Sequence, residues 1–449
     1  MNVEPNSATI SGGALGPRRG AALHDVAAVP RHEPSPTNRH TPGHRYPATP
    51  HPTSTMPLPT EHDELNELLA DVPTPAVLVD LDVFDANLEA LRDVRRRPVR
   101  LRVSGKSLRA PWLIERALAR LGPDAGGVMA RDANEAARLA GVGVRDLLMG
   151  YPCTSLAEAE TLASLVADGV KVVAMVDDLR QVDWHEQAAR QAGVVMPVCV
   201  DVDASLRLAG GLVHLGVRRS PLRPGATLGP FLAALRGLAH IRPVGLMMYE
   251  AQVAGVPDLG VGALRGVAVR SIKRASLRQL VTLRAAAVAE FRAAGFELEL
   301  VNGGGSGSVA ATSAATEVTE VTIGSGLLGP ALFDGFRARV WQPASFVVLA
   351  VSRIPGDGWA TLHGGGWLAS GTAGPDRAPV LWSPPGWQPT SMEGWGEVQT
   401  PLRAGLGAPL LRPGDRVLAR YAKAGEVMER VDRFWTFSEA GGLRWHPSR

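Results

Sequence analysis

The sequence predicts an α/β protein in which a (β/α)8 barrel of the TIM type is followed by a smaller all-β domain. Two observations support this prediction. Between residues 99 and 323, eight short apolar runs rich in β-branched residues alternate with stretches of mostly helical periodicity. After Phe333 the long helical periods stop, and glycine, proline and tryptophan surround short alternating runs. A chain of 449 residues is long enough for one large and one smaller domain.

The eight candidate strands are spread over the first of these regions. They are Val99–Gly105, Gly127–Ala130, Asp146–Gly150, Lys171–Asp177, Pro197–Asp203, Pro243–Tyr249, Glu297–Val301 and Val318–Ile323. Continuous apolar strands that alternate with helices indicate a parallel sheet covered on both faces. Eight of them favour a closed barrel. A doubly wound open sheet is the alternative, although NGGGSGS (302–308) lacks the GxGxxG spacing of a dinucleotide-binding turn.

Helical patterns separate most of these strands. The clearest are Ser107–Leu121, Asp132–Ala140, Ser155–Asp168 and Ser276–Ala294. An earlier strand, Ala76–Leu81, precedes a helical pattern at Val83–Arg95 and is additional to the eight, so we expect it to pair with the second domain. The second domain has alternating runs at Ser345–Ser352 and Arg416–Arg420.

These patterns divide the chain into three parts. Residues 1–59 are rich in proline, histidine, serine and threonine and poor in large apolar side chains, so we expect a disordered extension. Residues 72–333 form the predicted barrel, and residues 334–449 the β domain. Met56 is a second candidate for the start of the chain, besides Met1.

Composition narrows the classes of function. The net charge is only +3, and basic residues are scattered among acidic ones, which argues against a nucleic-acid surface. No apolar run reaches the roughly 18 residues that would span a bilayer, so we expect no membrane association. The two cysteines, Cys153 and Cys199, lie in apolar segments and offer no disulfide framework, which predicts a reducing, cytoplasmic location.

A lysine and two glycine clusters stand where a barrel carries its chemistry. Lys106 follows the first candidate strand, NGGGSGS follows the seventh, and Gly324–Gly326 follow the eighth. The carboxyl ends of barrel strands share one face, and the loops after strands seven and eight often bind phosphate. Glycine lets backbone N–H groups approach an anion, and a lysine amine can form a Schiff base with an aldehyde. The combination suggests pyridoxal phosphate, which needs one phosphate site and one amine.

Two aspartates mark another strand at this face. Asp201 and Asp203 are spaced to lie on one side of a strand. No third ligand is evident nearby, so we predict that they pair with arginine at the mouth of the barrel and do not bind a metal.

Nine sequence stretches carry a resemblance to a known family. They are TPAVLVDL (74–81), VSGKS around Lys106, LGVRRSP (215–221), MMYEAQVAG (247–255), NGGGSGS, TEVTIGSGLLGPALFD (319–334), HGGGW (363–367), GEVQTP (396–401) and GDRVLARYAKAGE (414–426). In the order and spacing of these stretches, the chain resembles the alanine racemase-like (fold-type III) pyridoxal phosphate enzymes. Within them it is similar to the D-threonine aldolase and D-serine dehydratase branch, also described as amino acid deaminase/aldolase. The resemblance covers roughly residues 72–435.

The resemblance implies specific roles for residues of the barrel. Lys106 would hold pyridoxal phosphate covalently, and Tyr249 would lie beside its ring. The phosphate would be surrounded by Gly304, Gly305, Ser306 and Gly326. The resemblance also implies a homodimer in which the second domain of one subunit covers the barrel mouth of the other.

Other positions depart from the family. Relatives that require a divalent metal have a histidine followed two residues later by cysteine or aspartate, where this chain has Tyr421 and Lys423. Phenol and ammonium are poor metal ligands at neutral pH, so we predict no metal ligands here and leave a metal requirement open. Tyr421 and Lys423 become the candidates that would polarise a substrate hydroxyl in place of a metal. His214 stands where many relatives have arginine, and Leu328 where tyrosine is common.

The predicted function is a pyridoxal phosphate-dependent lyase. Its substrate would be a small β-hydroxy amino acid of D configuration, consumed by β-elimination with deamination or by retro-aldol cleavage. Lys106 would be the base at Cα. An amino acid racemase and a cofactor-binding protein without turnover are the two alternatives.

Overall fold

The fold is described from a computed structural model, which covers residues 58–447 except 261, 373 and 432. The expected disorder of residues 1–59 and the alternative start at Met56 therefore lie almost wholly outside the described residues.

The first described elements lead into the second sheet and not into the barrel. They are α1 (His62–Leu69), β1 (Ala76–Asp80) and α2 (Leu81–Asp93). Asp80 begins α2, because its carboxylate accepts hydrogen bonds from the N–H groups of Asp82 and Val83 at 3.1 and 3.0 Å. The strand and the helix are thereby joined without a loop.

Ten strands follow between residues 100 and 323. They are β2 (Arg100–Ser104), β3 (Ala125–Ala130), β4 (Asp146–Met149), β5 (Lys171–Val176), β6 (Met196–Asp201), β7 (Leu206–Leu208), β8 (Val213–Leu215), β9 (Ile241–Met248), β10 (Leu300–Gly303) and β11 (Glu320–Ile323). All except β7 and β8 form a closed parallel barrel in the order β10-β11-β2-β3-β4-β5-β6-β9. This confirms the predicted barrel, and the alternative open sheet was wrong. The antiparallel hairpin β7–β8 was not predicted.

Helices connect the barrel strands. They are α3 (Gly105–Leu108), α4 (Pro111–Leu121), α5 (Ala133–Gly141), α6 (Leu156–Ala167), α7 (Leu179–Ala192), α8 (Leu228–Leu235), α9 (Ala251–Ala254), α10 (Ala263–Ala293), α11 (Val309–Ser313) and α12 (Ser325–Leu328). The helix predicted at Ser107–Leu121 is two helices, because Arg109 has φ +60° and Pro111 begins a new helix. The one predicted at Ser276–Ala294 begins thirteen residues earlier.

A buried polar chain crosses the barrel interior. The Arg102 guanidinium pairs with the Glu320 carboxylate (Nε to Oε1, 2.7 Å) and with Asp146 (2.8 Å). Asn302 donates to Glu320 at 2.8 Å and accepts from the Thr322 hydroxyl at 3.0 Å. Arg102 and Glu320 are 1% and 0% exposed, so each buried charge depends on its partner. This series of hydrogen-bonded polar side chains ends at Asn302 and Thr322, which line the cavity described below.

The remaining strands form a second sheet. They are β12 (Ser345–Arg353), β13 (Trp359–His363), β14 (Val380–Ser383), β15 (Trp387–Pro389), β16 (Gln399–Ala404), β17 (Arg416–Arg420), β18 (Arg433–Ser438) and β19 (Gly442–Pro447), with the short helix α13 (Ala424–Val427) between β17 and β18. Strand β1 lies between β12, to which it is antiparallel, and β18, to which it is parallel. The mostly-sheet C-terminal region is confirmed, while the domain bounds 72–333 and 334–449 stay a prediction. Among the described residues, no helix is long and apolar enough to cross a membrane.

Candidate active site

A cavity opens at the carboxyl ends of the barrel strands. It encloses about 800 Å³, including its opening to solvent. Five residues that the sequence analysis selected line it together: Lys106, Tyr249, Gly304, Gly305 and Ser306. Gly326, the sixth, adjoins it through a hydrogen bond from its N–H to Ser306 Oγ at 2.9 Å. The fold thus brings the predicted amine and both glycine turns to one place.

Lys106 lies in the first turn after β2, and its amine is accessible. Its Nζ donates to the hydroxyl of Tyr151 at 3.1 Å, and no carboxylate of the described residues forms an ion pair with it. The preceding residue is closely packed, since a Cβ at Gly105 would lie 3.1 Å from the Glu135 carboxylate. An amine without a counter-charge, at the wall of a cavity, is suited to covalent chemistry.

The first glycine turn is held from behind by a buried ion pair. Glu250 Oε2 accepts from the N–H of Gly304 at 3.0 Å, and Glu250 Oε1 lies 2.9 Å from the Arg284 guanidinium. Glu250 is 0% exposed and Arg284 2%. Burial alone would raise the pKa of Glu250, but Arg284 and the Thr312 hydroxyl hold it below its usual value. Gly304 has φ +71°, which favours glycine.

The two glycine turns meet at one hydroxyl. Ser306 Oγ accepts from the N–H groups of Gly324 and Gly326 at 3.2 and 2.9 Å, so its own hydrogen is free to point elsewhere. The N–H of Gly305 is bound by Ser308 Oγ at 3.2 Å. Most of the predicted glycine N–H groups therefore already have side-chain acceptors.

The donors left for an anion are consequently different from those expected. Among the described residues, the N–H groups of Ser306 and Ser325 and the Ser306 hydroxyl hydrogen have no acceptor. A side chain is excluded at Gly324, because a Cβ there would lie 2.8 Å from Ser107, and a Cβ at Gly305 would crowd Ala254 at 3.3 Å. The turns are closely packed and offer free N–H and O–H donors, which fits a phosphate group.

An arginine lies between the two tyrosine rings of the cavity. The Arg219 guanidinium is 5.7 Å from the ring centre of Tyr151 and 5.8 Å from that of Tyr249. Its Nε donates to Asp201 at 2.7 Å, and its Nη2 to the carbonyl of Gly150 at 3.1 Å. Asp203 pairs with Arg223 at 2.8 Å, so the predicted pairing of both aspartates with arginine is confirmed.

The two tyrosines differ in acidity. Burial raises the pKa of Tyr249 to about 12, so its phenol stays protonated at neutral pH. Burial would also raise the pKa of Tyr151, but the Lys106 and Arg219 cations hold it below its usual value. Burial raises the pKa of Asp201 to about 6 despite its pairing with Arg219.

Tyr421 and Lys423 do not line this cavity. Tyr421 is 2% exposed and its hydroxyl donates to Ser345 in the second sheet, while Lys423 Nζ donates to the Ser370 carbonyl at 2.7 Å. Their expected action at the reacting centre has no support from the contacts of a single chain and stays a prediction. The segment still supports the site, because a Cβ at Gly425 would lie 2.0 Å from the carbonyl oxygen of Lys106.

The family's metal position does not fit a metal. Tyr421 and Lys423 offer a phenol and an ammonium, both already engaged as hydrogen-bond donors. Within the described ranges, no group of three or more histidine, cysteine, aspartate or glutamate residues could hold an ion.

Three site residues were missed from the sequence. Tyr151 and Arg219 line the cavity, and Glu250 supports it. Tyr151 follows the end of β4 just as Lys106 follows β2, so the rule that selected the lysine applied to it as well. His214 lies in the hairpin β7–β8, and Leu328 is 0% exposed; neither lines the cavity.

A family profile and similar proteins of known name agree on the family of this chain. The profile of the alanine racemase N-terminal domain family matches residues 79–331, more than half of the chain. A D-threonine aldolase from Arthrobacter sp. is 26% identical over 326 residues, which are 71% of this chain and 77% of that protein. A 3-hydroxy-D-aspartate aldolase from Paracoccus denitrificans (strain Pd 1222) is 23% identical over 291 residues, 63% of this chain and 69% of that protein.

Solved structures share the fold. The crystal structure of D-threonine aldolase from Filomicrobium marinum superposes with a TM-score of 0.70 at 24% identity, and covers 85% of this chain and 95% of that one. D-threo-3-hydroxyaspartate dehydratase from Delftia sp. HT23 superposes with a TM-score of 0.64 at 19% identity. The superposition covers 85% of this chain and 99% of that one.

Proposed function

Because the chain belongs to the alanine racemase N-terminal domain family, we propose that it is a pyridoxal phosphate-dependent lyase acting on small β-hydroxy amino acids of D configuration. The reaction is retro-aldol cleavage of the Cα–Cβ bond, as the names of the two aldolase relatives suggest. One observation carries the proposal: the amine of Lys106, which forms no ion pair with any described residue, faces the same cavity as the two glycine turns.

The residues of the cavity fit this cofactor. Lys106 would hold it through the amine, and the Ser306 hydroxyl with the N–H groups of Ser306 and Ser325 would bind its phosphate. Tyr249 would lie against its ring. When bound, pyridoxal phosphate supplies an aldehyde that takes up amines and a ring that withdraws electrons from a bond broken at Cα.

The chain's own groups would position the substrate and move its protons. Lys106 Nζ is the group that would deliver or remove a proton at Cα. Tyr249 keeps its proton at neutral pH, so it can form hydrogen bonds or pack against a ring but cannot act as a base. We assign no step to a metal, since positions 421 and 423 do not fit one.

The experiment measures the products of the reaction and the absorbance of the bound cofactor in the same samples. Purified protein with pyridoxal phosphate is given both enantiomers of threonine and serine, and aldehyde, glycine, ammonia and exchange of enantiomers are measured. We expect glycine and aldehyde from the D-β-hydroxy amino acids, and cofactor absorbance that Lys106→Ala abolishes. Lys171→Ala is the matched control, because Lys171 is an exposed lysine paired with Asp146, away from the cavity.

The other outcomes separate the alternatives. Ammonia without aldehyde would indicate elimination, and exchange of enantiomers alone would indicate a racemase. Cofactor absorbance without any product would indicate a binding protein, and protein that stays colourless with the cofactor would refute the proposal. Parallel arms with a chelator and with added Mn²⁺ test the metal requirement.

The location and assembly follow as further parts of this proposal. We propose a cytoplasmic enzyme, which the two buried free cysteines support. We also propose a homodimer, which is supported by strongly exposed apolar side chains of the second sheet region, among them Met392, Leu406 and Leu410. Light scattering coupled to gel filtration would measure the mass, and a monomer at assay concentration would refute the dimer.

A further inference from the structure

Tyr151 is the cavity residue whose hydroxyl is hydrogen-bonded to the predicted reacting amine. Its side chain is 44% exposed at the cavity wall, and its Oη lies 3.1 Å from Lys106 Nζ. Building on the function proposed above, we propose that Tyr151 is a catalytic residue that exchanges the proton of the substrate's β-hydroxyl and passes it to or from Lys106.

The surroundings of Tyr151 favour its phenolate. Lys106 Nζ lies 5.6 Å from its ring centre and the Arg219 guanidinium 5.7 Å, so two cations face one phenol. Asp201, paired with Arg219, acts in the opposite direction, and Tyr249 lies on the other side of Arg219. The balance lowers the pKa of Tyr151, although burial by itself would raise it.

The position of Tyr151 also suits the substrate. In a β-hydroxy amino acid the hydroxyl oxygen is three bonds from the amine nitrogen. A substrate whose amine lies beside Lys106 Nζ therefore carries its hydroxyl close to a group already within hydrogen-bond distance of Nζ. Proton transfer requires that reach, about 2.6–3.2 Å between heavy atoms.

The hydrogen bond between the two residues closes the proton balance. In retro-aldol cleavage the β-hydroxyl gives its proton to Tyr151 Oη, and the O–H electron pair becomes the second bond of the aldehyde carbonyl. The Cα–Cβ bond breaks, its electron pair stays with the amino acid fragment, and Lys106 Nζ gives a proton to Cα. Transfer of one proton from Tyr151 Oη to Lys106 Nζ then restores both groups.

Other cavity side chains suit this role less well. Tyr249 stays protonated at neutral pH because burial raises its pKa to about 12. Arg219 cannot act as a base, since a guanidinium does not lose its proton in proteins. Tyr421 and Lys423 donate to Ser345 and Ser370, outside the cavity.

The first test uses the protein without substrate. The sequence has four tyrosines: Tyr46, which lies outside the described residues, Tyr151, Tyr249 and Tyr421. In a Tyr46→Phe background, we expect ultraviolet absorbance to show one phenolate forming below the ordinary pKa of about 10. Burial raises the pKa of both Tyr249 and Tyr421, so this early step should disappear in Tyr151→Phe. A titration that Tyr151→Phe leaves unchanged would overturn the proposal.

The second test separates proton transfer at oxygen from proton transfer at Cα. Wild type and Tyr151→Phe, both loaded with pyridoxal phosphate, are compared for cleavage of D-threonine and for deuterium exchange at Cα of D-alanine, which has no β-hydroxyl. We expect cleavage to fall about 10²–10⁴-fold, as for loss of a general acid–base group, while deuterium exchange changes much less. Unchanged cleavage, or an equal loss of both, would overturn the proposal.

A failure of the proposed function gives a different result. In that case the wild type itself would not cleave any β-hydroxy amino acid, whereas the tyrosine titration would still report on Tyr151.

Discussion

Replacement of Glu250 by glutamine is expected to destabilise the protein and loosen the first glycine turn. The carboxylate is 0% exposed and serves three partners: the N–H of Gly304, the Thr312 hydroxyl and the Arg284 guanidinium. Glutamine keeps the shape but removes the charge, so Arg284 is left buried without a counter-charge. The variant should also bind pyridoxal phosphate less tightly, because Gly304 and Arg284 are bound by different carboxylate oxygens and glutamine has only one acceptor oxygen.

The magnitude follows from the burial of the pair. Breaking a buried ion pair by removal of one partner costs about 3–5 kcal/mol, whereas folded proteins are stable by only about 5–15 kcal/mol. The upper part of the range is expected here, because Arg284 is 2% exposed and its Nε already has no hydrogen-bond partner among the described residues. The double variant Glu250→Gln with Arg284→Met should lose less free energy of unfolding than Glu250→Gln alone, because it buries no unpaired charge.

Urea unfolding of the cofactor-free protein measures these differences. The matched control is Glu299→Gln, which removes a carboxylate from an ion pair with Arg242 in which both side chains are about half exposed. We expect the control to change the free energy of unfolding by at most about 1 kcal/mol. A loss in Glu250→Gln no larger than in the control, or a double variant less stable than Glu250→Gln, would show that the buried pair with Arg284 does not stabilise the fold.

Two further predictions concern a buried histidine and the second glycine turn. His185 is 0% exposed, neither ring nitrogen has a hydrogen-bond partner within the described part of the chain, and burial lowers its pKa to about 4. Because the unfolded chain takes up this proton near pH 6.5 and the folded protein only near pH 4, stability should fall by up to about 3 kcal/mol as pH drops through that window. His185→Leu should reduce this acid sensitivity in thermal unfolding, and an unchanged pH dependence would contradict the assignment. Gly324→Ala should weaken cofactor binding at least tenfold in a fluorescence titration, because its Cβ would lie 2.8 Å from Ser107. Gly141→Ala, where a Cβ meets open space, is its control, and equal affinities in the two variants would rule out a close-packed turn.

Part of the architecture was predictable because it depends on local pattern. Strands buried on both faces are mostly apolar and β-branched, so all eight barrel strands were visible in the sequence. Parallel strands of a barrel end at one face, and this topological rule alone placed Lys106 with the turns at Gly304 and Gly324. The main displacement is β10, predicted at Glu297–Val301 and found at Leu300–Gly303, because pairing with β9 extends it into the glycine turn.

Features that depend on contacts between distant residues were not predictable. Nothing in the neighbourhood of Glu250 indicates that Arg284 would pair with it, or that the pair would hold Gly304. Likewise, the sequence places Tyr151 after a strand, but the contact of its hydroxyl with Lys106, forty-five residues away, appears only in the fold.

Hydrophobic period and strand direction are properties of the residues themselves, so they indicate which elements form and at which end of the barrel the chemistry lies. The folded chain reveals which glycine N–H groups are free, which tyrosine faces the amine, and that Tyr421 donates to Ser345 and not into the cavity. Those outcomes depend on the burial and charge that distant segments impose on one another, and no local pattern contains them.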